Sequence, residues 1–164
     1  MFIFVGDLCP EGGDPACTLE PTSPAAAPDY APAGEIDWPE GAGTATIDGY
    51  DGPARLVDET VTVLAEIDLA EALGEVEGLG DLSGLRLRAR RVEVNPGGIV
   101  PLHAQPDRPA YFVVTEGNLT YYGPEGTLTL GPSETFEDFG PNPNWWRNEG
   151  AVPVTLFAVD VVAS

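Results

Sequence analysis

The chain has 164 residues, a net charge of −20 and no lysine, its seven basic residues all being arginines. So acidic a surface repels phosphate backbones and anionic lipid, which argues against nucleic acid and membrane surfaces as partners. Its 20 Gly and 17 Pro favour short strands and frequent turns over long helices, and a β-domain of about 100 residues can bury its own core.

No apolar run approaches the roughly 18–20 residues that span a bilayer. The opening MFIFVG is too short for a secretory core, lacks a positive flank and is followed at once by Asp7. A cytoplasmic location is the default, with export open if a signal has been removed. Cys9 and Cys17 are the only cysteines. They could close a small loop in an oxidising compartment, although two idle thiols are the simpler expectation.

Residues 1–50, rich in Pro, Ala, Gly and acid, are expected to form a largely irregular arm, because such a segment buries too little apolar surface to offset its ordering entropy. Trp38 is the exception and is expected to anchor the arm on the domain that follows, residues 51–164. There, 55–57 and 61–67 are predicted as strands, the latter with Val61, Val63, Ala65 and Ile67 on one face. Residues 69–82 are expected to be a loop with about one helical turn. In Leu85–Val94, Leu85, Leu87 and Ala89 share one face and Arg86, Arg88 and Arg90 the other, and then Val92 and Val94 fall in phase with the arginines. Either a bulge sits near Arg90 and Arg91 or both faces are partly buried. The arginines are expected to pair with carboxylates on neighbouring strands, with an anion clamp as the sharper alternative. Beyond the turn at 96–98, strands recur at a spacing of roughly 8–12 residues, the signature of an antiparallel sandwich or barrel.

Gly97, His103 and Gly117 keep the spacing of the first cupin motif, and Asn148 fits the end of the second. Asp107-Arg108-Pro109 and Trp145-Trp146-Arg147-Asn148 also match a cupin subgroup with His-x-His-x-Asp-Arg-Pro and His-Trp-Trp-Arg-Asn segments. Over residues 60–162 the sequence therefore resembles the cupins, which implies an all-β fold, an antiparallel jelly-roll barrel that commonly forms a homodimer. Cupins that bind a transition metal usually hold it with three histidines and a glutamate. At the corresponding positions this chain has His103, Gln105, Ala110 and Asn144, and it contains no second histidine. One imidazole and two neutral amides make a weak ligand set, so no cofactor is expected and a metal is the minority reading.

Strand alternation sends His103 and Gln105 one way and Asn144, Trp146 and Asn148 one way. With Tyr111 as a fifth member, His103, Gln105, Asn144 and Trp146 are expected to line a pocket that orients a small molecule by hydrogen bonds and stacking. Three functions stay open: a binding module with a degenerate metal site, a cupin enzyme, or a structural barrel with a filled interior. An enzyme would be metal-dependent, or metal-free with His103 as acid or base and Tyr111 as its partner. Trp145, opposite in phase to Trp146, is assigned to outer-face packing or a dimer contact.

Overall fold

The computed structural model describes residue 30, residues 36–74, residue 78 and residues 80–163; Cys9 and Cys17 lie outside them. The phase of 85–94 decides which way the barrel faces. In the long strand β4 (Leu85–Glu116), Val92 and Val94 are enclosed and Arg90 shares their face. The arginine phase is thus the inward one. The irregularity expected near Arg90 falls on the neighbouring strand, β3 (Val57–Asp68), whose register shifts between Val63 and Ala65 opposite Arg90 and Ala89.

Strand β4 is an extended chain that bends around the molecule rather than one flat strand. Its first part pairs with β3 and with β8 (Val154–Ala163). Its later part pairs with β7 (Thr135–Arg147) and again with β8, so that Asp160 stands opposite both Arg88 and Ala110. The hairpin β5 (Leu119–Gly123) and β6 (Gly126–Leu130) extends the sheet beyond β7. All these pairings are antiparallel, and the sheet curls into an all-β, jelly-roll-like fold. Val92, Val94, Phe112, Leu119, Trp146 and Leu156 fill its centre, each contributing about 1.5–3 kcal/mol by leaving water.

Several elements differ from the sequence expectation. Arg55 and Leu56 precede β3 rather than belonging to it. Val61, Val63 and Ile67, which share one face of the strand, are exposed, and so is Leu64 on the other; β3 is an edge strand, paired with β4 alone among the described strands. Residues Leu69–Leu73 form the single helical turn, α1, begun by the Asp68 side chain accepting from the Glu71 N–H at 2.9 Å.

Regular structure also starts earlier than residue 51. A 3-10 turn at Glu40–Ala42 leads into β1 (Thr44–Ile47) and β2 (Tyr50–Pro53), a hairpin that straddles the expected boundary. Its apolar side chains explain this. Ala45, Ile47 and Tyr50 pack with Ala42, Leu102, Tyr122 and Trp145 in a second cluster. Trp38 meets Trp145 edge-on at 5.8 Å and donates from Nε1 to the Gly43 carbonyl at 2.8 Å. Trp145 stacks on Tyr122 at 4.0 Å and is fully enclosed. It packs on the outer face of the sheet, under the N-terminal hairpin.

The motif glycines are framework residues. Gly97 takes φ 77°, and the backbone N–H and C=O groups of 97, 98 and 148 tie β4 to the end of β7. The Asn148 side chain completes that joint, donating to the Val94 and Val152 carbonyls at 2.8 Å each. Gly117 has φ 74°, and a Cβ there would lie 2.7 Å from the Pro153 oxygen, whereas one at Gly97 would meet open space. Gly97→Ala is therefore expected to cost about 1–2 kcal/mol, the left-handed penalty alone. Gly117→Ala adds a backbone clash and is expected to cost roughly twice as much. Urea unfolding of the two variants measures the difference; equal midpoints would contradict it.

Candidate functional site

Four of the five sequence-chosen residues meet around one that was not chosen. Asp138 lies on β7 in phase with the half-buried Phe136, whose ring stacks on Phe112 at 4.8 Å. That phase turns the carboxylate inward, where it is 3% exposed. It accepts from His103 Nε2 at 3.0 Å, from Gln105 Nε2 at 2.5 Å and from Asn144 Nδ2 at 2.9 Å. Asn144 Oδ1 accepts from Trp146 Nε1 at 2.7 Å, and Gln105 Oε1 accepts from Arg108 Nε. The Trp146 ring stands edge-on to His103 at 5.5 Å.

The amide and indole groups thus satisfy one another through a shared carboxylate, as buried polar groups must. Alternation puts Asp138 on the same side of its strand as Phe136, but the pairing with Ala110 that sets it beside His103 is not local.

His103 uses both ring nitrogens. Nδ1 faces the Pro101 carbonyl at 2.7 Å while Nε2 faces Asp138. Both partners are acceptors when Asp138 is ionised, so the protonated ring, with two N–H donors, satisfies both. Burial pushes the His103 pKa down, but the Asp138 hydrogen bond and charge and the Pro101 carbonyl outweigh it. The net direction is up, against a smaller opposing push from Arg108. Burial pushes Asp138 up, and its hydrogen bond and ion pair with His103, with the two amide donors, bring it below the ordinary carboxylate value.

Tyr111 does not join the site. It is half exposed on the outer face of β4 and its hydroxyl donates to Thr135 Oγ1 at 3.2 Å. Its neighbour Phe112 takes the inward phase, so Tyr111 cannot partner His103.

A cavity of about 660 Å³ opens in front of this network, lined by His103, Gln105 and Trp146 together with Phe112, Arg90 and Arg108. Asn144 and Asp138 stand behind that lining and border a smaller depression on the other side. The donor chemistry does not fit a cupin metal. Both His103 nitrogens and both amide oxygens are committed to hydrogen bonds. Among the described residues no three His, Cys, Asp or Glu side chains gather to hold an ion.

Next to the cavity, Asp160 on β8 collects arginines. Arg88 grips both its oxygens, at 3.0 and 2.8 Å, and Arg90 Nη2 lies 3.0 Å from Oδ2. Arg108 Nε is 3.8 Å away. Burial raises the Asp160 pKa, and the hydrogen bonds from Arg88 and the three guanidinium charges bring it below the ordinary value. The other paired arginines of β4 meet Glu66 and Glu93 at the surface, where such pairs contribute little.

Solved cupin-domain structures are similar in fold. They include the Cupin_2 domain of an XRE-family transcriptional regulator from Enterobacter cloacae, at 18% identity and TM-score 0.47, covering 63% of this chain and 96% of that one. The cupin domain of Schizosaccharomyces pombe Cnp3 is similar at 15% identity and TM-score 0.48, over 67% of this chain and 69% of that one. A cupin-superfamily sugar phosphate isomerase from Silicibacter pomeroyi is similar at 21% and 0.43, over 60% and 64%. No family model matches the sequence, and no curated protein matches it. Among the described residues no helix is long and apolar enough to cross a membrane.

Proposed function

We propose that this chain is a cupin-fold small-molecule-binding protein whose barrel works without a metal. The observation that carries this reading is the open cavity of about 660 Å³ beside His103, Gln105 and Trp146. A structural barrel with a filled interior has no use for that space, and ligand pockets commonly run to about 300–1,000 Å³. The Asp138 network supports the same reading, because it fixes the orientation of the imidazole and Gln105 before any ligand arrives. It also removes His103 from service as a base, since neither ring nitrogen is left with a free lone pair toward the cavity.

Elemental analysis of protein purified without chelator, combined with thermal-shift screening of metal-stripped protein against a library of small polar and aromatic molecules, tests the proposal. Substoichiometric metal and ligand-dependent stabilisation are expected. A stoichiometric transition metal would sink it, as would a library without a single stabilising compound.

A further inference from the structure

Three guanidiniums converge on one carboxylate beside the cavity, and the donors they leave unused point to a ligand class. Arg88, Arg90 and Arg108 share one carboxylate, Asp160. Arg88 takes both of its oxygens in a bidentate grip, which leaves Arg90 an ion pair and Arg108 a longer contact. Arg90 is nine-tenths buried. Its Nε has no hydrogen-bond partner among the described residues, while Nη2 lies 3.0 Å from Asp160 Oδ2. Arg108 spends Nε on Gln105 and leaves its two terminal nitrogens without a protein acceptor among the described residues.

Both side chains line the cavity beside His103. A buried guanidinium is costly unless an acceptor meets it, and the fork of donors matches a carboxylate. Val92, Val100, Phe112 and Trp146 supply an apolar and aromatic part of the wall.

We infer that the cavity takes a small organic carboxylate, its charged head on Arg90 and Arg108 and its apolar or aromatic body against Phe112 and Trp146. This rests on the binding reading above and adds the ligand class to it. Two acids also line the cavity, Glu59 and Asp107, in a chain of net charge −20. That surrounding field favours a monoanion over a polyphosphate. Glu59 lies close enough to Arg90 and His103 to feel both charges, yet it forms no ion pair with an arginine among the described residues. It is therefore a competitor for the bound anion rather than the missing partner.

Isothermal titration of the full chain with benzoate, phenylacetate and the neutral isostere benzamide tests the inference. Both acids should bind, with benzamide roughly tenfold weaker or more, the value of a charge-assisted hydrogen bond. Arg108→Gln, at a partly exposed position, should weaken benzoate by a similar factor and leave benzamide unchanged. Glu59→Gln should tighten benzoate, a gain that a purely structural role for these residues would not produce. Equal binding of benzamide and benzoate would overturn the carboxylate assignment while leaving the binding reading intact. Failure of both acids would also overturn it, and the binding reading would fall with it only if neutral library compounds gave no thermal shift either. Benzoate binding that survives Arg108→Gln unchanged and is indifferent to Glu59→Gln would place the anion elsewhere.

Discussion

Asp138→Asn is expected to lower stability by about 3 kcal/mol or more and to lower the His103 pKa. The carboxylate accepts from three donors while almost wholly buried. An asparagine of the same shape offers one oxygen, and its amide nitrogen must face Gln105, Asn144 or His103, each of which presents a donor. At least one buried donor loses its acceptor, and the positive imidazole loses its counter-charge. Without Asp138, burial and the Arg108 charge push the His103 pKa down against the Pro101 carbonyl alone. Urea unfolding and an NMR titration of the single histidine read the two effects. A variant as stable as the parent, with an unchanged histidine titration, would show that the network does not hold the site.

The same pair sets the pH dependence. His103 is raised from its ordinary 6.5, so its contribution is fully present below that value and is lost as pH climbs through the folded pKa. Asp138 and Asp160 are lowered from 3.8, so theirs is present above 3.8 and lost as pH falls through their folded values. Glu59 is raised from 4.5, chiefly by burial and against the pull of Arg90 and His103, so it disfavours the folded state as pH rises past 4.5. Maximal stability therefore falls on the acid side of neutrality, between the carboxylate and imidazole values. In Asp138→Asn the part of the alkaline-side loss that His103 carries should disappear, because the histidine then no longer binds its proton more tightly when folded, while the part carried by Glu59 stays.

The fold was readable because its signals are local. Alternation along 85–94 and 110–114, glycine at left-handed turns and the Gly97–His103–Gly117 frame each depend on a few neighbours. Three things escaped because they depend on partners far along the chain. Asp138 reads as one more acid in a chain with 27 acidic residues, and only the pairing of Ala110 with Asp138 brings it beneath Gln105 and His103. Tyr111 and Phe112 are adjacent aromatics, and local pattern alone did not say which one faces inward. The exposure of β3 was not legible either, because sequence carries no label for an edge strand. The arginines of β4 were recognised as a charged face, but that face turned out to be the barrel interior, in phase with Val92 and Val94.

The arginine cluster carries the other large expected effect. Asp160→Asn should cost about 3–5 kcal/mol, the usual result of removing one partner from a buried ion pair. The aspartate side chain is wholly enclosed and those of Arg88 and Arg90 are 20% and 10% exposed, so solvent does little to screen what remains. Small domains are stable by only about 5–15 kcal/mol, which puts the single variant near the edge of folding. The double variant Asp160→Asn with Arg90→Met should recover part of the loss, because it removes the cation that Asp160 served and replaces it with an apolar chain of similar reach. A double-mutant cycle by urea unfolding measures that coupling; additive losses would show that Arg90 does not depend on Asp160. If the single variant Arg90→Met, with Asp160 kept, is as stable as the parent, stability gives no reason for the second guanidinium, and the case for a ligand use of Arg90 is stronger.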